Sequence, residues 1–335
     1  MSEPTPPVSY TFEVPWRPPI AVPPPRPNRR YWLHGLLLVA TFVSTLIVGA
    51  QLQLNFRRNL PAFTSDSFVF PLFHASSLLH HPSLLLLGIP FSFTLMGILL
   101  AHELGHYFLC QKYGVYATLP YFLPAPTFIG TFGAVIRIKS PIRSRQALFD
   151  IGIAGPIAGF VAALPVLLWG LALSRPMPLL ANDDTVQFGY PLVFRLFHGL
   201  LSLFVPHLAP LGNLNLHPIA LAAWVGMFAT ALNLLPGGQL DGGHIVYAFS
   251  PRAHRWVSRV SIVALLLLGT FFWTGWLLWG TILGFTGMRH PNVPKWPGLD
   301  RTRRWLFLVA ILLLGLTFAF APMKGFALFK TSLSP

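Results

Sequence analysis

The chain has 335 residues, of which 54% are hydrophobic and only 10% charged, and its formal net charge is +14. Soluble domains carry roughly a quarter charged residues, so this composition excludes a water-soluble globular protein and places the chain in a bilayer. The basic residues cluster beside apolar runs, at Arg26-Arg29-Arg30, Arg137-Lys139-Arg143-Arg145, Arg252-Arg255-Arg259 and Arg301-Arg303-Arg304, which is the positive-inside pattern and suits an anionic leaflet rather than a nucleic acid.

Residues 1–30 are rich in proline, with Pro23, Pro24 and Pro25 in a row and Pro27 close behind. They read as an extended cytoplasmic tail without the apolar core of a cleavable signal peptide. The first span is expected from Tyr31 to Gln51. A second apolar stretch, Phe68 to Leu87, is broken by His74, His80, His81 and Pro82, and suits an interfacial or re-entrant segment. Residues 31–88 therefore hold a first transmembrane helix and an interfacial piece. The next span runs from Ile89 to Tyr113 and contains His102-Glu103-Leu104-Gly105-His106. After it, Gly130 to Ile138 alternates as a short strand or hairpin does. Ala147–Leu173, Leu216–Leu235 and Trp305–Phe320 each read as one further span.

The apolar stretch Val257–Phe285 is either one long tilted helix or a hairpin of two short ones. Length favours one span. The charge rule favours the hairpin, because only a hairpin keeps both Arg252–Arg259 and Arg289–Arg304 on the inner side. The expected fold is an all-α polytopic membrane protein of about six or seven transmembrane helices with a small β-hairpin element. With the N-terminus cytoplasmic, the His-Glu-Leu-Gly-His segment lies toward the inner end of its helix. Asp241 lies just past the inner end of the Leu216 helix, at a similar depth.

Ionisable groups in apolar surroundings are functional by default, and Glu103 and Asp241 are two such groups. His102 and His106 are four apart, so they share one face of a helix and reach one metal ion. In this pattern Glu103 does not bind metal; it takes a proton from water and passes it to the leaving amine. Zinc with two imidazoles needs a third protein ligand and an open position. Pro236, Gly237 and Gly238 break the second helix, and irregular backbone at that depth is tolerated only where protein buries it or it lines a wet cavity. The Asp241 carboxylate on this break suits the third ligand. The competing readings are a chance His-x-x-x-His on a packed helix and a helix-ending turn with a capping Asp.

His244 is either a further ligand or a packing residue beside the site. Cys110, the only cysteine, reads as a small packed residue rather than a thiolate ligand. Gly155-Pro156 and Gly159 read as close helix packing, and Asp150 as an interfacial cap.

His102-Glu103-Leu104-Gly105-His106 on one span and Asn233-x-x-Pro236-x-x-x-Leu240-Asp241-Gly242 on another resemble the motifs of the site-2 protease family of intramembrane zinc metalloproteases. The resemblance covers roughly residues 89–250, with further spans in 251–335. It implies a three-helix catalytic core, one Zn2+ per chain reached from the cytoplasmic side, and cleavage of transmembrane or membrane-proximal segments of a membrane-protein substrate. It assigns His102, His106 and Asp241 as zinc ligands, Glu103 as base and Asn233 as a polar contact to substrate. The strand containing Gly133, Ala134, Val135 and Ile136 would hold the substrate extended, since a helical peptide bond is hidden. No insert is long enough for a PDZ domain, so the resemblance is to the PDZ-less branch of plant plastid and cyanobacterial homologues. A bacterial inner membrane or a plastid membrane is the expected location. A catalytically silent scaffold and a zinc or proton transporter are the rival classes.

Overall fold

The computed structural model describes residues 31–63, 81–177, 186–205, 208–286, 293–294 and 298–324. The Pro-rich segment 1–30, most of the interrupted 68–87 stretch and parts of the expected loops lie outside these residues. Among the described residues, three helices are long and apolar enough to cross a membrane. They are α1 (Tyr31–Arg57), α2 (Ile89–Lys112), which continues a 3-10 turn over Pro82–Gly88, and α3 (Arg145–Leu173). At 29 residues, α3 is roughly 43 Å long, more than the ~30 Å hydrocarbon layer requires. Large apolar side chains face outward on all three, among them Trp32, Val39, Phe93, Phe108, Val161 and Trp169. Water would penalise that exposure and lipid does not.

The shorter helices are α4 (Leu192–Ser202), α5 (Pro218–Leu234), α6 (Asp241–Phe249), α7 (Pro251–Phe271), α8 (Gly275–Thr286) and α9 (Arg301–Thr317). α5 is apolar all round and buried along its length except at Phe228, Ala229 and Asn233, as a central helix must be. It packs with α2 and α3 to form a three-helix core. Small residues allow the close approach: a Cβ on Gly170 of α3 would come within 2.4 Å of the Ala220 amide of α5.

Local signals set the helix ends. α2 stops in a Schellman motif, in which Val115 N–H donates to the Cys110 carbonyl at 2.8 Å and Gly114 N–H to Gln111 at 3.1 Å. Gly114 supplies the required positive φ of 63°. α3 starts at Ser144, whose hydroxyl accepts the Ala147 N–H at 3.1 Å. The capping role expected of Asp150 therefore belongs to Ser144. Asp150 lies one turn inside α3 and takes both arms of Arg303 from α9, at 2.8 and 2.6 Å. The Tyr113 hydroxyl also donates to Asp150.

The Val257–Phe285 stretch resolves into two helices, α7 and α8, separated at Phe272–Thr274. They pack antiparallel, Gly269 against Leu277 and Gly280 against Leu265 and Leu266. The arrangement is the hairpin that the charge rule favoured, because apolar length alone carries no information on chain reversal.

The expected strand forms over Thr131–Val135 (β2), antiparallel to β1 (Tyr121–Pro124), with Tyr121 opposite Val135 and Phe122 opposite Ala134. Among the described residues β2 has only this partner. α1 holds the hairpin at two points. Ser44 donates to the Gly130 carbonyl at 2.6 Å, and the His34 ring stacks on Tyr121 at 3.9 Å between centroids. A second two-stranded sheet, β3 (Arg175–Pro176) with β4 (Leu214–Asn215), was not foreseen; two-residue strands leave no period to read.

Candidate metal centre

Three elements deliver the site. α2 carries His102, Glu103 and His106, all buried. The first residue of α6 is Asp241, and the last turn of α5 carries Asn233. The break between α5 and α6 brings the two distant motifs together. α5 ends at Leu234, and Gly238 turns the chain with a φ of 61°, which favours glycine. α6 then lies directly on the turn, since a Cβ on Gly243 would come within 2.4 Å of the Gly238 carbonyl.

His102 Nε2 and His106 Nε2 lie 3.1 Å apart, and Asp241 Oδ2 lies 3.2 Å from the first and 3.3 Å from the second. The three atoms form a nearly equilateral triangle. Nδ1 of His106 is 2.6 Å from the Ile151 carbonyl. A carbonyl only accepts, so Nδ1 carries a proton and Nε2 is the ring nitrogen left to offer a lone pair to a metal at the triangle. A carboxylate lone pair and a second imidazole nitrogen face the same point. Lone pairs converge at this spacing around a cation. Tetrahedral zinc, with ligand bonds of about 2.0–2.1 Å, requires ligand atoms roughly 3.3 Å apart, so the donor set fits. Among the described residues, these three are the group of histidine, cysteine and acidic side chains arranged to hold a metal ion.

Glu103 is not one of the three. Its Oε2 accepts the Ile136 N–H at 2.9 Å, which ties the helix to the residue just past β2. Asn233 Nδ2 lies 3.3 Å from His102 Nε2, at the edge of the triangle. Gly133, Ala134 and Val135 lie on β2, which Thr131 organises from within the sheet: its hydroxyl donates to the Leu123 carbonyl at 2.7 Å and accepts the Gly133 N–H at 2.9 Å. His244, three residues past Asp241, is outside the metal-type group and faces α3, where a Cβ on Gly152 would approach it to 3.3 Å. Cys110 is fully buried with Val115, Ala117, Ala147 and Ile151, which agrees with its reading as a packed residue.

α3 contributes more than close packing. A Cβ at Gly155 would lie 2.0 Å from His106 Nε2, and one at Gly159 would lie 3.1 Å from His102 Nδ1. These glycines make the space that the imidazoles occupy. The sequence held a signal for this: the glycines are four apart, as the histidines are, and antiparallel helices place 155 against 106 and 159 against 102. The Ile151 carbonyl, which orients His106, had no signal, because any residue has one.

A family model described as Peptidase family M50 matches residues 90–272, a range that includes every residue of the triangle. Two Arabidopsis thaliana proteins are similar to the chain. "Probable zinc metalloprotease EGY1, chloroplastic" is 32% identical over 240 residues, covering 68% of this chain and 41% of the relative. "Probable zinc metalloprotease EGY2, chloroplastic" is 31% identical over 248 residues, covering 71% and 41%. The EGY2 protein of Oryza sativa subsp. indica is 36% identical over 172 residues, covering 50% and 30%. The chain thus spans about two fifths of the length of the two Arabidopsis relatives.

Proposed function

We propose that this chain, which belongs to peptidase family M50, the site-2 protease family of zinc metalloproteases, hydrolyses peptide bonds within or beside transmembrane segments of other membrane proteins. The observation that carries the proposal is the triangle of His102 Nε2, His106 Nε2 and Asp241 Oδ2, with sides of 3.1, 3.2 and 3.3 Å, inside a helical membrane core.

His102, His106 and Asp241 hold the metal. Zinc, when bound, supplies Lewis acidity for a water molecule and for the scissile carbonyl. Glu103, next in sequence to a ligand, takes the proton from the attacking water and returns it to the leaving amine. The Ile136 N–H holds the Glu103 carboxylate in place for both transfers. Asn233 offers an amide N–H beside the triangle, where it can hold substrate.

A helical substrate hides its peptide bonds, so it must unwind before cleavage. The β2 edge, with Gly133, Ala134 and Val135 and with Ile136 just beyond it, can receive it as an added strand. The same Ile136 then links strand and base, which favours presentation of the peptide beside Glu103.

Six or seven spans with the N-terminus on the cytoplasmic side agree with the basic clusters. A bacterial inner membrane fits this orientation, and the word chloroplastic in the relatives' names supports a plastid membrane equally. Metal transport would call for ionisable ligands through the depth of the bilayer; the gathering of the metal-type residues at one point favours hydrolysis.

The test is a proteomic comparison of membranes containing the parent or the Glu103→Gln protein. Full-length or partly trimmed membrane substrates should accumulate with the variant, and their fragments should appear with the parent. Identical membrane proteomes, together with a purified parent that cuts none of the candidate segments, would defeat the proposal.

A further inference from the structure

α7 exposes Arg252, Arg255 and Arg259 in its first turns and the large apolar Val260, Val263 and Leu267 further along, as a helix passing from a membrane surface into lipid would. Toward the protein it buries His254 and Ser258, each 1% exposed, one turn apart. A buried histidine and serine in an apolar helix are costly unless hydrogen-bonded, and both bond to a single residue of another segment. His254 Nε2 lies 2.9 Å from the Gly238 carbonyl, and the Gly238 N–H donates to Ser258 Oγ at 3.2 Å. Ser261, one turn further, reaches the Pro236 carbonyl at 3.4 Å. The turn between α5 and α6 is irregular, and α7 supplies a partner for each backbone group of Gly238.

That turn fixes Asp241. α6 rests on it through Gly243 and on the end of α5 through Gly242, each without room for a Cβ. A shift of Gly238 therefore moves the first residue of α6 with it. We infer that His254 and Ser258 are positioning residues, which hold Asp241 at ligand distance from His102 and His106 by clamping both backbone groups of Gly238. This rests on the zinc-site reading given above. Among the described residues, neither belongs to the group of side chains arranged to hold the metal ion.

The experiment compares metal binding by the parent and three variants of the full chain, purified in detergent and stripped of metal. Affinity for Zn2+ is read by competition with a chromogenic chelator, the ligand field by the visible spectrum of bound Co2+, and folding by the unfolding midpoint in excess chelator. His254→Phe keeps the ring volume and loses the donor. It should weaken both metals about tenfold or more, as removal of supporting hydrogen bonds around ligands does, and shift the cobalt bands. His254→Gln keeps an N–H donor and should restore affinity to within about threefold of the parent. Ser258→Ala, the smaller change, should weaken binding in the same direction. A folded His254→Phe with the parent's affinity and cobalt spectrum overturns the inference. Where His254→Phe does not fold, Ser258→Ala decides: parental affinity overturns it and weakened affinity supports it. A parent that binds no metal would overturn the zinc reading and this inference with it, whereas a binding parent beside unaffected variants overturns this inference alone.

Discussion

The backbone N–H of Ile136 donates to the Glu103 carboxylate at 2.9 Å, so a single hydrogen bond joins the metal-bearing helix to the chain leaving β2. A glutamine at 103 presents a carbonyl oxygen that accepts the same bond but takes no proton from water. Glu103→Gln should therefore keep metal content and unfolding midpoint while cleavage falls by about 10²–10⁴-fold, the usual contribution of a general base. Glu103→Ala should lose cleavage and also loosen the Ile136 backbone. Parental turnover by the glutamine variant would mean that another group is the base.

Gly155 leaves the space that His106 fills. Its replacement by alanine would set a Cβ 2.0 Å from the imidazole Nε2, so the ring must swing out of the triangle or α3 must move. Gly155→Ala should lower metal affinity by at least about tenfold and cost about 1–3 kcal/mol through overpacking. Gly97, on the same helix as the histidines, has nothing within 4 Å of its Cβ position. Gly97→Ala should leave metal binding untouched and stability equal or slightly raised. Chelator competition on the two purified variants checks both statements, and equal affinities would contradict the packing account.

Much of the centre was legible in the sequence because its chemistry is local. His102 and His106 share a helical face by spacing alone, and Pro236-Gly237-Gly238 announce a broken helix just ahead of Asp241. Other parts depend on what lies opposite in space. Gly155 and Gly159 read as generic close packing until the histidines are placed against them. Asp150 read as a cap because its partner Arg303 is 153 positions away. A small β-hairpin was expected, but β1 was not placed at Tyr121–Pro124, since Pro120 precedes it and Pro124 ends it and both make it look like loop. His254 and Ser258 gave no signal because they stand among the surface arginines Arg252, Arg255 and Arg259 and read as part of the same polar helix end.

The Arg303–Asp150 pair anchors α9, which lies beyond the residues matched by the family, to the start of α3. Both side chains are 15% exposed, and the guanidinium is bidentate, the stronger geometry for such pairs. Arg303→Met leaves a largely buried carboxylate without its cation and should cost on the order of 3 kcal/mol. Asp150→Asn combined with Arg303→Met should cost less than the sum of the two single changes, since the partners are coupled. Unfolding midpoints in detergent give the comparison, and strict additivity would show that the pair contributes little.

The central claim is that three side chains from two distant motifs share one divalent cation. Metal analysis of the purified chain, never exposed to chelator, tests it most directly. About one zinc per chain is expected for the parent, with near-complete loss in His106→Ala and in Asp241→Ala. A parent without bound transition metal, or an Asp241→Ala protein that retains the full complement, would contradict it.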